Sequence, residues 1–167
     1  MTSQFIKRKA VVVLVILGSA ALAGLIHLIL DGSLDKRKCE CQLKCIGCAI
    51  ELYREDNGGL YPPSLVAIEN GTLRPLLRCP GSHNHKFDKR DGPDSNSDYI
   101  YVDWSAQSIV ASNTLPAKYP LVYDARISNH KGRGVNVLLN DGFVMWDEGI
   151  SWLTRFSLDH GGISLPR

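Results

Sequence analysis

The sequence predicts an α+β fold, in which an N-terminal transmembrane helix continues into an amphipathic helix packed on a small antiparallel sheet. Three observations predict it. Ala10 to Leu30 contains no Asp, Glu, Lys or Arg, Leu34 to Asp56 repeats its apolar residues at helical spacing, and short runs of strand composition follow Tyr99 with turn residues between them. At 167 residues the chain, less an anchor, holds one modest domain and is too short for two. The expected division is a basic cytoplasmic tail at 1–9, an anchor helix at 10–30 and an extracytoplasmic globular domain at 31–167.

The anchor rests on length. Ala10 to Leu30 is 21 residues, and as a helix it spans ~31 Å, the thickness of a bilayer core. A cleaved signal peptide is the rival reading, because Lys7-Arg8-Lys9 makes a basic n-region and Ala21-Leu22-Ala23 resembles a cleavage box. The apolar run continues past that box to Leu30, beyond the ~7–15 residues of a signal's apolar core, which favours the anchor. The tail has no acid before Asp31, so the amino terminus is expected inside, although Lys36-Arg37-Lys38 on the far side, partly offset by Asp31 and Asp35, weakens the asymmetry. His27 lies one turn from the helix end, where a neutral imidazole reaches the interface without an intramembrane role.

Charge bears on partners. Removing Lys7, Arg8 and Lys9 from the 19 bases leaves 16 against 17 acids, so the domain is close to neutral. Its lysines and arginines alternate with aspartates and glutamates instead of clustering, which argues against a nucleic-acid partner.

The second helix is expected from about Leu34 to Asp56, closed by Asn57-Gly58-Gly59. Cys41, Cys45, Cys48 and Leu52 fall on one side, widened by Leu43, Ile46, Ile50 and Tyr53; Glu40, Lys44, Glu51, Arg54 and Glu55 take the other. Only Asp31-Gly32-Ser33 separates it from the anchor, so the pair is expected as one long, slightly broken rod. Tyr61-Pro62-Pro63 forces extended chain, Ser64 is placed to cap a short helix through Glu69, and Asn70-Gly71 makes a turn. From Gly81 to Asp98 the polar composition reads as a surface loop. Strands are expected at Tyr99–Trp104 and Leu121–Asp124, then a hairpin of Gly134–Asn140 and Phe143–Trp146 turning at Asp141-Gly142. A short amphipathic helix around Ile150 to Leu158 presents Trp152 and Phe156 four residues apart.

The segment from Cys39 through Cys41, Cys45 and Cys48 to Asn57-Gly58-Gly59-Leu60-Tyr61-Pro62-Pro63 resembles the post-anchor helix of bacterial prepilin-like proteins related to type II secretion pseudopilins. Cys79-Pro80 and the stretch from His130 to Asp141-Gly142 resemble two further signatures of that group, the second being its histidine to Asp-Gly hairpin. The resemblance implies a pilin-like head on a helix in the inner membrane, with pilin-like or secretion-system proteins as partners. It also implies a disulfide between Cys79 and Cys39. The chain departs from the pattern at three places. Phe5 follows Gln4 and not a glycine, the apolar run has no glutamate, and ten residues separate His130 from Asp141 where the pattern usually has nine. The first two departures lead us to expect neither leader processing nor assembly into filaments.

Chemistry is sparse by motif. Cys45-x-x-Cys48 with Cys79 and His83 or His85 offers ligand types suited to zinc, yet the pair lies mid-helix with only Gly47 as a turn residue, where small buried residues are the simpler reading. A thioredoxin-like role lacks the surrounding βαβ pattern. A disulfide from Cys79 to one helix cysteine remains, and the odd count of five leaves a free thiol. Asp124, Ser128, His130 and Asp141 supply acid, nucleophile and base types, but no nucleophile elbow unites them. The simpler reading has Asp141-Gly142 turning the hairpin, His130 bonding the loop that enters it and Asp124 ending a strand. Asn70-Gly71-Thr72 is a glycosylation sequon by pattern only. The expectation is therefore a membrane-anchored structural or assembly protein, with no catalytic, cofactor or metal residues assigned. A tethered metal- or thiol-dependent enzyme or sensor is the alternative.

Overall fold

The computed structural model describes residues 2–69, 71–82, 97–104, 118–161 and 163–167; within the first helix, most side chains before residue 33 lie outside that description. The chain divides into two units, Met1–Leu34 and Asp35–Arg167. The first consists of helix, the N-terminal part of α1 (Thr2–Asp56). Its backbone is helical through Asp31-Gly32-Ser33, where a discontinuity was expected. Among the described residues no helix is long and apolar enough to cross a membrane. The anchor expected at Ala10–Leu30, with His27, falls where side chains are largely outside the description.

The second unit is α+β. Its strands are β1 (Tyr99–Tyr101), β2 (Pro120–Asp124), β3 (Gly134–Leu139) and β4 (Val144–Glu148), followed by α2 (Ser151–His160). They form one antiparallel sheet in the order β1-β2-β3-β4. β2 and β3 are buried at every position, because a layer covers each face. On one face α1 meets the even residues of β3: the Gly47 position lies against Leu138, and Asn136 Nδ2 donates to the Lys36 carbonyl at 3.3 Å. On the other face Val135 is paired with Asp147, whose carboxylate receives the first N–H groups of α2.

The buried stripe of α1 is Cys39, Leu43, Ile46 and Ile50. The sequence centred the apolar side on Cys41, Cys45, Cys48 and Leu52, and these are exposed. Both sets repeat at spacings of four, three and four, offset by two residues. The sheet takes the set richer in Leu and Ile, each of which contributes about 1.5–3 kcal/mol when fully buried, and a thiol contributes less. Glu40 and Lys44, placed on the polar side from sequence, form an i,i+4 ion pair at 2.7 Å.

Other boundaries shift modestly. The helix expected after Ser64 is a four-residue 3-10 turn, Leu65–Ile68, and Ser64 makes no side-chain capping bond. The first strand stops at Tyr101, after which Trp104 turns into the core and donates from Nε1 to the Pro120 carbonyl at 2.8 Å. The hairpin joins β3 to β4 as expected, with Gly142 at φ +79°. Asn70, with its turn and sequon, and residues 83–96 of the polar loop lie outside the described residues.

Candidate functional site

Four side chains from distant segments meet under the sheet's α1 face. Cys39 arrives on the buried stripe of α1. Cys79 follows a 3-10 turn at Arg74–Leu77, and its backbone N–H donates to Asp98 Oδ2 at 3.1 Å. Asp124 is the last residue of β2, and His130 ends a 3-10 turn at Ile127–His130 that Lys131 terminates with a left-handed backbone at φ +59°. The Cys79 turn presses onto the His130 turn so closely that a Cβ at Gly81 would lie 1.8 Å from the Asn129 carbonyl oxygen. Only glycine fits there.

All four are buried: Cys39 and Asp124 have no exposed surface, Cys79 is 3% exposed and His130 6%. One ligand atom from each lies within 4.8 Å of every other. Cys39 Sγ donates to Asp124 Oδ1 at 3.3 Å and stands 3.6 Å from Oδ2. His130 Nε2 is 3.1 Å from Asp124 Oδ2 and 3.5 Å from Cys79 Sγ. Around this core, the Asn136 backbone N–H donates to Asp124 Oδ2 at 2.8 Å and fixes the carboxylate. The Tyr99 hydroxyl donates to Gln42 Oε1 at 2.9 Å and lies 3.5 Å from Cys39 Sγ. The Trp146 ring stands edge-on to His130 at 5.6 Å.

Burial sets the protonation states. It pushes the Cys39 thiol up, with the neighbouring Cys79 and the Asp124 charge adding to the effect, so with no cation present Cys39 stays a thiol. Burial also raises Tyr99. For His130 burial opposes the charged form, but the hydrogen bond to Asp124, helped by a hydrogen bond to Cys39 and by the Asp124 charge, outweighs it and lifts the imidazole to about 9. His130 and Asp124 thus form a buried ion pair at neutral pH.

A catalytic thiol–imidazole–carboxylate relay needs the two ring nitrogens aimed at different partners. Here Nε2 alone faces both Cys79 and Asp124, while Nδ1 is buried and has no hydrogen-bond partner among the described residues. Ser128 is exposed, and Asp141 sits exposed at the hairpin, where its Oδ1 accepts the Phe143 N–H at 3.0 Å. Of the four residues weighed for catalysis, then, the structure brings together Asp124 and His130 only. What the arrangement offers is convergence of two sulfurs, a nitrogen and a carboxylate oxygen.

The zinc set weighed from sequence does not assemble in this way. Cys45 and Cys48 are exposed on α1, Cys79 is buried, and His83 and His85 lie outside the described residues. Cys39 and Cys79 are neighbours, as the resemblance implied, but both are free thiols. His130 bonds Asp124 and Cys79 where the hairpin-entry loop was the expected partner. Sequence reasoning did not join Cys39, Asp124 and His130 into one site. The available signals were that Cys39 extends the Leu43-Ile46-Ile50 spacing by one turn, and that Asp124 ends an otherwise apolar strand. No protein-family model, curated protein or solved structure matches the chain.

Proposed function

We propose that this chain is a membrane-anchored, pilin-like structural or assembly protein of an envelope or secretion-type complex, held in the bacterial inner membrane by one helix with its globular domain outside the cytoplasm. The observation that supports this reading most is the composition of α1. One helix contains both the 21-residue run without Asp, Glu, Lys or Arg and the stripe Cys39, Leu43, Ile46 and Ile50 that enters the core of the sheet. The first is the length of a hydrocarbon core; the second makes the same helix the spine of an α+β head, the arrangement that the pseudopilin resemblance implies. The run contains no acid, so it lacks a group to pair with a neighbouring subunit's amino terminus, and the chain acts as an anchored partner of pilin-like or secretion-system proteins and not as a filament subunit.

Fractionation tests this. The intact chain should pellet with membranes and resist carbonate extraction, and protease added outside the inner membrane should digest the head. Recovery of a soluble form beginning at Gly24, after Ala21-Leu22-Ala23, would sink the anchor. Fibres labelled by an antibody to the head would sink the exclusion from filaments. The buried cluster favours a second reading, a tethered metal- or thiol-dependent enzyme or sensor, but its burial leaves no surface for a substrate.

A further inference from the structure

We propose that Cys39, Cys79, Asp124 and His130 form a closed structural zinc site that fastens α1 to the base of the sheet. A tetrahedral zinc, with bonds of about 2.3 Å to sulfur and about 2.0–2.1 Å to nitrogen and oxygen, separates its ligand atoms by roughly 3.3–3.8 Å. With Asp124 Oδ2 as the carboxylate ligand atom, the cluster already shows 3.1 Å from it to His130 Nε2, 3.6 Å from it to Cys39 Sγ, and 3.5 Å between Cys79 Sγ and His130 Nε2, and the four residues have ligand atoms within 4.8 Å of one another. A cation at their centre needs only small side-chain adjustments. Two thiolates with an imidazole select a borderline-soft ion over calcium or magnesium, and four protein ligands leave no open position, as in structural and not catalytic zinc sites.

The crowding at Nε2 points the same way. Without a cation, Nε2 is a single atom facing the Asp124 carboxylate and the Cys79 sulfur, with Asn136 Nδ2 also 3.5 Å away, so three groups converge on one nitrogen. With zinc, Nε2 gives its lone pair to the metal and the imidazole proton resides on Nδ1, which is buried beside Gly81. The Asn136 N–H continues to hold Asp124 Oδ2. The exchange balances without any oxidant: Zn²⁺ enters, the two thiol protons and any imidazolium proton leave to solvent, and no electrons move. A disulfide would consume the same two sulfurs, so the two states exclude each other. The inference does not depend on the membrane role.

The test uses the full chain purified in detergent under reducing conditions. One zinc per chain is expected by elemental analysis. Cobalt(II) substitution should give the strong visible bands of a tetrahedral ion and a near-ultraviolet thiolate charge-transfer band. Cys39→Ser and Cys79→Ser should each weaken that band by about half or abolish binding. Should those two variants fail to fold, the combined C41S, C45S and C48S variant keeps the test decisive, since these exposed thiols lie outside the site and its zinc and cobalt spectrum should match the parent. Chelation of the parent should lower Tm by on the order of 10 °C. The site is refuted by a reduced, folded chain that takes up neither ion, by a cobalt spectrum without thiolate charge transfer, by loss of the metal in the triple variant, or by a zinc-free chain isolated with a Cys39–Cys79 disulfide.

Discussion

At the scale of single residues, two positions decide whether the buried cluster can assemble. Gly81 brings the Cys79 turn against the His130 turn, and any Cβ there would meet the Asn129 carbonyl. Gly81→Ala should destabilise the fold by about 1–3 kcal/mol in urea titration, because the clash is with backbone and not with a flexible side chain. An unchanged midpoint would show that the two turns are not in contact. His130 gives a pH signature in the chelated chain. Its folded value of about 9 lies above the ordinary ~6.5, so its pairing with Asp124 contributes fully below pH ~6.5 and is lost as pH rises through 9. Stability of chelated protein should therefore fall by up to about 3 kcal/mol across that window, and His130→Gln should flatten the fall. A chelated parent whose stability is level from pH 6.5 to 9 would contradict the ion pair.

At the scale of elements, the strongest local design is one that spacing could not reveal. α2 begins at Ser151 after Ile150, a β-branched residue held left-handed at φ +56°, with no capping side chain of its own. The cap comes from β4, where buried Asp147 accepts the Trp152 N–H at 2.9 Å and the Leu153 N–H at 2.8 Å. A carboxylate on two free N–H groups also complements the helix dipole. Asp147→Ala should cost about 2–3 kcal/mol, and Asp147→Asn, which keeps one acceptor oxygen, about half of that. Equal losses for the two would show that only packing matters. The β3–β4 hairpin was readable in advance: Asp141-Gly142 marks the turn, and Gly142 does take φ +79°. Gly142→Val should cost about 1 kcal/mol or more, read as a lower Tm, and an unchanged Tm would remove that requirement.

At the scale of the whole molecule, what could be read from the sequence divides by the range of the interactions. The α+β class, the order of elements and the hairpin follow from periods of 3.6 and 2 and from turn residues, which act within a few positions. Which half of the broad apolar arc of α1 turns inward is settled by the sheet, so Cys41, Cys45 and Cys48 were misplaced to the core and Cys39 was not recognised by periodicity. The cluster is less visible still, because Cys39 and Asp124 are 85 positions apart and Cys79 and His130 are 51 apart. No motif spacing encodes a site whose ligands come one each from a helix, a turn, a strand end and a 3-10 turn. The plan proposed here is accordingly a membrane-anchored chain whose head is fastened internally, Cys39 of α1 to Cys79, Asp124 and His130, by that site.

The most direct test of that plan uses the thiols the fold leaves outside. Cys41, Cys45 and Cys48 are exposed, whereas Cys39 and Cys79 are buried. Spheroplasts treated with a mild reductant and then with a membrane-impermeant maleimide should label the first three on a chain that remains in carbonate-washed membranes. Labelling that appears only after the inner membrane is broken, or on a chain already released to the soluble fraction, would contradict an anchored head outside the cytoplasm.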